Sequence, residues 1–274
     1  MTKAKPFHRL QSPDAPGPLF PDRSFIKGWL RLIAAYLASF VLSFVGGSIL
    51  ITFLKVAPET VFEVSTKRLS LAFPIMQSAA SLGLDEGIVL FAWNSLGALI
   101  TTSFLYSGAL FNPKTISHSP QSLRKIFSGS RRMKLLCFLP GCRSFEAEPL
   151  RRLYVWLLIP WLGMILLGLE SGLIVSTSAS IFGSLAIGLF SLIPHGIVEI
   201  PAFAFAGTLS FSAHLLIKRR AWGEEAGDIF PHLESYTKSI PLLKVLLIVF
   251  GGLLLAGVLE AHLTPQIIAA LRGS

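Results

Sequence analysis

His195 and Glu199 lie four residues apart in the string PHGIVEIPA (residues 194–202), within a stretch, 181–217, whose only carboxylate is Glu199. Four-residue spacing puts two side chains on one face of a helix. An imidazole and a carboxylate so placed could hold a cation, pass a proton, or hydrogen-bond to each other. A structural role is equally open, with His195 capping a broken helix and Glu199 satisfying freed backbone N–H groups. Glu260, in VLEAHLTP (258–265), is a third candidate. It could meet His195 or Glu199 across a helix interface, or it could reach the headgroups. Glu260 and Thr264 are i,i+4 partners, whereas Glu260 and His262 point to nearly opposite faces. Asn94 is a helix-borne amide whose usual work is interhelical hydrogen bonding. Glu170 is expected at the outer end of its span, exposed to the interface.

These groups sit in apolar surroundings, where an unpaired ionisable side chain costs about 2.5–3.5 kcal/mol at the least. The chain has 274 residues, of which 52% are hydrophobic and 14% charged. Soluble domains carry roughly 25% charge. Several apolar runs reach or approach the roughly 20 residues that cross a bilayer as helix. The expected fold is all-α: a polytopic helical membrane protein with about five transmembrane helices plus a broken or re-entrant half-helix.

Spans are expected at about 32–54, 87–111, 153–175, 181–217 and 242–263, in a single membrane domain covering 28–274. Residues 1–27 read as a disordered basic cytoplasmic tail without the apolar core of a cleaved signal peptide. A helix running from 181 to 217 would be ~55 Å long at 1.5 Å per residue, too long for one crossing. The expected break is at 194–196, with Pro194 ending one helix, Gly196 permitting an unusual backbone geometry, and Pro201 bending the second helix further. The segment 69–83, interrupted by Pro74, reads as an interfacial helix or a short packed loop.

Loop charge gives an orientation. Residues 112–152 hold nine Lys/Arg against Glu146 and Glu148, and residues 218–241 open with Lys218, Arg219 and Arg220. Positive loops stay on the cytoplasmic side, so 112–152 and 218–241 are expected there, N-inside and C-outside. The net charge of +9 is thus topological, and the bilayer is the first partner it implies. Nucleic-acid binding is not expected, since no basic surface interleaved with aromatics is visible. Cys137 and Cys142 are too few for a zinc site and are expected to be reduced thiols. HExxH, GxSxG and Gly-Lys-Ser/Thr phosphate-loop motifs are absent, so no catalytic residue, cofactor or metal site is assigned. An intramembrane metal-dependent enzyme is a minor alternative.

PHGIVEIPAFAFAG (194–207) resembles the PHG-x-x-E-[IL]-PA signature of the stage II sporulation protein M family. VLEAHLTP is similar to that family's terminal Glu-Ala-x-x-Thr-Pro element, and FAWNSLGALI (91–100) resembles its phenylalanine-and-asparagine helix. The resemblance runs from about residue 87 to 266. GLESGL (168–173) stands where the family usually has an Asn-Gly pair. The resemblance implies a multi-pass protein of the prokaryotic inner or plasma membrane, acting without enzymatic activity as a scaffold or assembly factor for a cell-envelope complex. Envelope proteins and a second copy of the chain are the protein partners this admits. The competing expectation, from the residues themselves, is a cation- or proton-coupled transporter or channel-like protein built on the broken helix.

Overall fold

The computed structural model describes residues 23–67, 70, 73–112, 116, 121, 141–142, 145, 147–220 and 229–273. These residues form helices α1 (Arg23–Thr52), α2 (Pro58–Thr66), α3 (Phe73–Ser81), α4 (Glu86–Ser107), α5 (Glu148–Ile181), α6 (Leu185–Phe190), α7 (Ile193–Arg220), α8 (Ile229–Ser239), α9 (Leu242–Val258) and α10 (Thr264–Gly273). No strand occurs among them. A 3₁₀ turn extends α4 to Phe111, and a π turn, Leu259–Leu263, joins α9 to α10. Five helical segments are long and apolar enough to cross a membrane: 23–52, 86–111, 148–181, 193–218 and 242–273.

Helix α7 is the hub. Within its apolar window 67% of residues are buried, against 17–39% for the other four spans. It contacts α1, α4, α5 and α9. The outer spans leave Leu37, Val41, Leu42 and Ile49 of α1, and Leu243, Leu247 and Leu255 of α9, exposed on the protein surface. Contiguous apolar surface of that kind is covered by lipid in a membrane protein.

Helices α1 and α5 make the most extensive pairing. The buried face of α1 is Phe25, Gly28, Leu32, Tyr36, Ser39, Ser43 and Gly47, spaced by threes and fours as one helical stripe requires. Ser39, Ser43 and Gly47 meet Gly168, Gly172 and Ser176 of α5. Small residues at four-residue intervals on both helices let backbones touch, and Ser43 Oγ donates to the Gly168 carbonyl at 3.3 Å. The glycines of GLESGL are therefore one half of the tightest helix seam in the bundle.

Trp29 and Arg31 read as anchors in the membrane interface, but Trp29 Nε1 donates to the Pro201 carbonyl at 3.0 Å, tying α1 to the proline-bearing part of α7. Trp29→Phe is expected to cost about 0.5–1.5 kcal/mol, the net worth of one such bond. Reversible unfolding in bicelles, compared with wild type, measures it.

Several boundaries differ from the sequence expectation. The third span runs on to Ile181 because Ser176 and Thr177 return their hydroxyls to the Leu173 carbonyl, so these polar residues are absorbed into the helix. Glu170 consequently lies well inside α5, half-buried, and has an interaction partner. The break in 181–217 is not at 194–196. Helix α5 ends in a Schellman turn: Gly183 adopts φ +64, the Ser184 N–H reaches the Ala179 carbonyl at 3.0 Å, and the Gly183 N–H reaches Ser180 at 3.4 Å. Ser184 then caps the short α6, its Oγ accepting from the Ile187 N–H at 3.4 Å.

A second turn at Ser191–Leu192 precedes α7. Pro194 falls in the first turn of that helix, where its missing N–H would have no intrahelical partner. Gly196 is ordinary helix, its N–H bonded to the Leu192 carbonyl at 2.8 Å. Pro201 lies within α7 and does not end it.

Residues 23–27, assigned to the tail, belong to α1. The rest of that tail, Cys137, and most of the 112–152 loop lie outside the described residues. Cys142 is disulfide-bonded, which corrects the expectation of a reduced thiol; spacing alone carries no redox information. In α8, Lys238 donates to Glu234 at 2.7 Å and holds that exposed carboxyl below the usual carboxylate range.

Candidate functional site

The site forms where the start of α7 meets the end of α9. His195, in the first turn of α7, is only 7% exposed, and its Nδ1 is buried without a hydrogen-bond partner. Glu199 comes one turn later on the same face. Glu260 is supplied by the π turn after α9. One ligand atom of each of the three side chains lies within 4.8 Å of the others. The structure therefore unites three of the four residues singled out in the sequence, and Glu260 turns inward to the helix interface.

The π turn runs directly into Pro265, which has no N–H to give to residue 261. Thr264 takes the wider register, with both its backbone N–H and its Oγ1 (3.1 Å) directed at the Leu259 carbonyl. This insertion re-aims the side chains of 259–263, and π turns recur at functional positions for that reason. Glu260 is directed to the cluster while His262 points away and pairs with Asp85 at 3.1 Å. Asp85 also caps α4, accepting from the Ile88 N–H at 3.3 Å. Glu86, exposed at the start of α4, adds negative potential at Glu260.

Backbone contact sets the spacing. A Cβ on Gly257 would fall 2.6 Å from the Gly87 carbonyl oxygen. Only glycine at this crossing allows α4 and α9 to approach so closely, one turn before Glu260. Gly252 similarly sits against Ala202 of α7.

Asn94 is not in the trio. It lines a cavity of about 410 Å³ between α4, α5 and α7, together with Trp93, Thr101, Pro160, Glu199 and Phe203. Glu199 therefore belongs to both the cluster and the cavity. Pro194 and Gly196 flank His195 but break no helix, and Pro201 serves as the acceptor for Trp29.

Asp85, Glu86 and the Gly87–Gly257 contact were not expected from the sequence, which gives no sign of how α4 and α9 cross. His214 carries no local motif that marks it either. That buried histidine keeps its Nδ1 3.0 Å from the Tyr154 carbonyl and its ring 4.2 Å from the Tyr154 ring, which is an architectural role.

Among the described residues, five membrane-length helices and no strand, with ionisable groups gathered between two of the helices, define a helical integral membrane protein. The chain belongs to the stage II sporulation protein M family, whose profile matches residues 87–265, more than half of its length. No curated protein and no solved structure gives a match. Helices α1, α2 and α3 precede the matched region, so the α1–α5 seam joins an element outside it to one inside.

Proposed function

We propose that this protein is a non-enzymatic scaffold or assembly factor for a cell-envelope complex, crossing a prokaryotic plasma membrane five times with its N terminus inside. The observation that carries the reading is the locked bundle. Two helix pairs, α1 with α5 and α4 with α9, are in backbone contact through glycine, and all four helices pack on the buried α7. Such seams hold one arrangement and suit a rigid platform. The basic loop 218–241 then faces anionic lipid or partner proteins on the cytoplasmic side. Family membership supports the coarser part of this reading, an integral membrane protein.

A second reading, a cation- or proton-coupled transporter, is favoured by one observation: Glu199 bridges the His195–Glu260 cluster and the cavity. Reconstitution of wild type, Glu199→Gln and Glu260→Gln decides between the two. The scaffold reading expects no proton or divalent-cation flux above empty vesicles, together with envelope proteins that co-purify after crosslinking in cells. Wild-type flux that Glu199→Gln abolishes at normal folded yield would overturn it.

A further inference from the structure

We propose that His195, Glu199 and Glu260 form a binding site for a first-row divalent cation, a metal staple joining the start of α7 to the π turn. The inference is independent of whether the protein is a scaffold or a transporter. Sequence alone assigned no metal here, because Glu260 is distant in the chain and its helix register is not regular.

Four observations support the site. The donor set is one imidazole and two carboxylates, each with a ligand atom within 4.8 Å of the others. Donors around such an ion, at bond lengths of about 2.0–2.2 Å, are separated by about 3–4 Å, so small side-chain rotations close the shell. His195 is nine-tenths buried and its Nδ1 has no partner. A buried imidazole nitrogen left unsatisfied is costly, and a metal bound at Nδ1 would supply what is missing. Charge points the same way. With both carboxylates ionised, a divalent cation and a neutral imidazole bring the group to zero net charge. Finally, the π turn exists at the residue that must reach across, Glu260.

The imidazole selects a first-row transition ion over Mg²⁺ or Ca²⁺, which prefer all-oxygen shells. Three protein ligands leave positions open for water or for another ligand. Glu86, exposed at the start of α4, adds negative charge near the site, which attracts cations.

The test uses the full chain in nanodiscs, stripped with a chelator and titrated with Zn²⁺, with metal per chain measured after desalting. Co²⁺ is titrated in parallel for its visible spectrum. Wild type is expected to hold one Zn²⁺ per chain and to melt at higher temperature when loaded. His195→Ala and Glu260→Gln are expected to weaken Zn²⁺ binding roughly a hundredfold, the upper end of what loss of a mere supporting contact costs. Glu260→Asp, which keeps the ligand type, is expected to retain part of it, and Glu234→Gln on α8 all of it. Wild type that takes up no stoichiometric Zn²⁺, shows no Co²⁺ ligand-field bands and gains no thermal stability overturns the proposal, even if the ligand variants fold poorly. Zn²⁺ uptake unchanged in folded Glu260→Gln overturns it equally.

Discussion

Replacing Gly172 by leucine is expected to cost the bundle a large part of its stability. A Cβ at that position would fall 2.1 Å from Ser43 Oγ and 2.3 Å from the Phe40 carbonyl oxygen. The serine can turn away, but the carbonyl cannot, because it is part of the α1 helix. The two helices must therefore separate, and Ser43 loses its bond to the Gly168 carbonyl as they do. Overpacking that side chains can absorb costs about 1–3 kcal/mol. Here the obstacle is backbone, so about 3 kcal/mol or more is expected. The control is Gly46→Leu on α1, where a Cβ has nothing within 4 Å. That variant exchanges a poor helix former for a good one and should stay within about 1 kcal/mol of wild type. Unfolding both in bicelles measures the difference. Equal stability of the two variants would show that the α1–α5 seam does not hold the fold.

Gly257→Leu is expected to damage stability and metal binding together. Its Cβ would meet the Gly87 carbonyl oxygen at 2.6 Å, which forces α9 away from α4. Glu260 lies within the next turn of chain, so this displacement carries its carboxylate out of reach of His195 and Glu199. Zn²⁺ affinity should fall roughly a hundredfold, as for loss of a ligand, although no ligand has been changed. Gly251→Leu, whose Cβ would point into open space, should leave both properties near wild type. Zn²⁺ binding at wild-type strength by a folded Gly257→Leu protein would show that the α4–α9 contact does not position the site.

The membrane class, the number of spans and three of the site residues were legible in the chain because each is a local property. Apolar run length decides whether a helix can cross a bilayer. An i,i+4 pair shares a helix face wherever that helix sits, which is why His195 and Glu199 could be paired before any fold was known. The family signature, carried by PHGIVEIPA and VLEAHLTP, likewise lies in short strings. Helix ends were less legible. Pro194 reads as a breaker from composition, yet it is harmless in a first turn, and the true terminator, Gly183, is marked by a hydrogen-bond pattern that composition does not spell out.

Tertiary structure alone decided where Glu260 goes. By sequence it could face headgroups or protein, and the packing of the π turn against the start of α7 sets it beside His195 and Glu199. It also decided which glycines matter. Gly46 and Gly47 are neighbours in one helix, but only Gly47 meets residues of another helix, Leu173 and Ser176. Local chemistry determined that this chain carries ionisable groups into a membrane. The approach of helices distant in sequence, with Gly87 and Gly257 letting α4 and α9 touch just before Glu260, decided that three of those groups form one site.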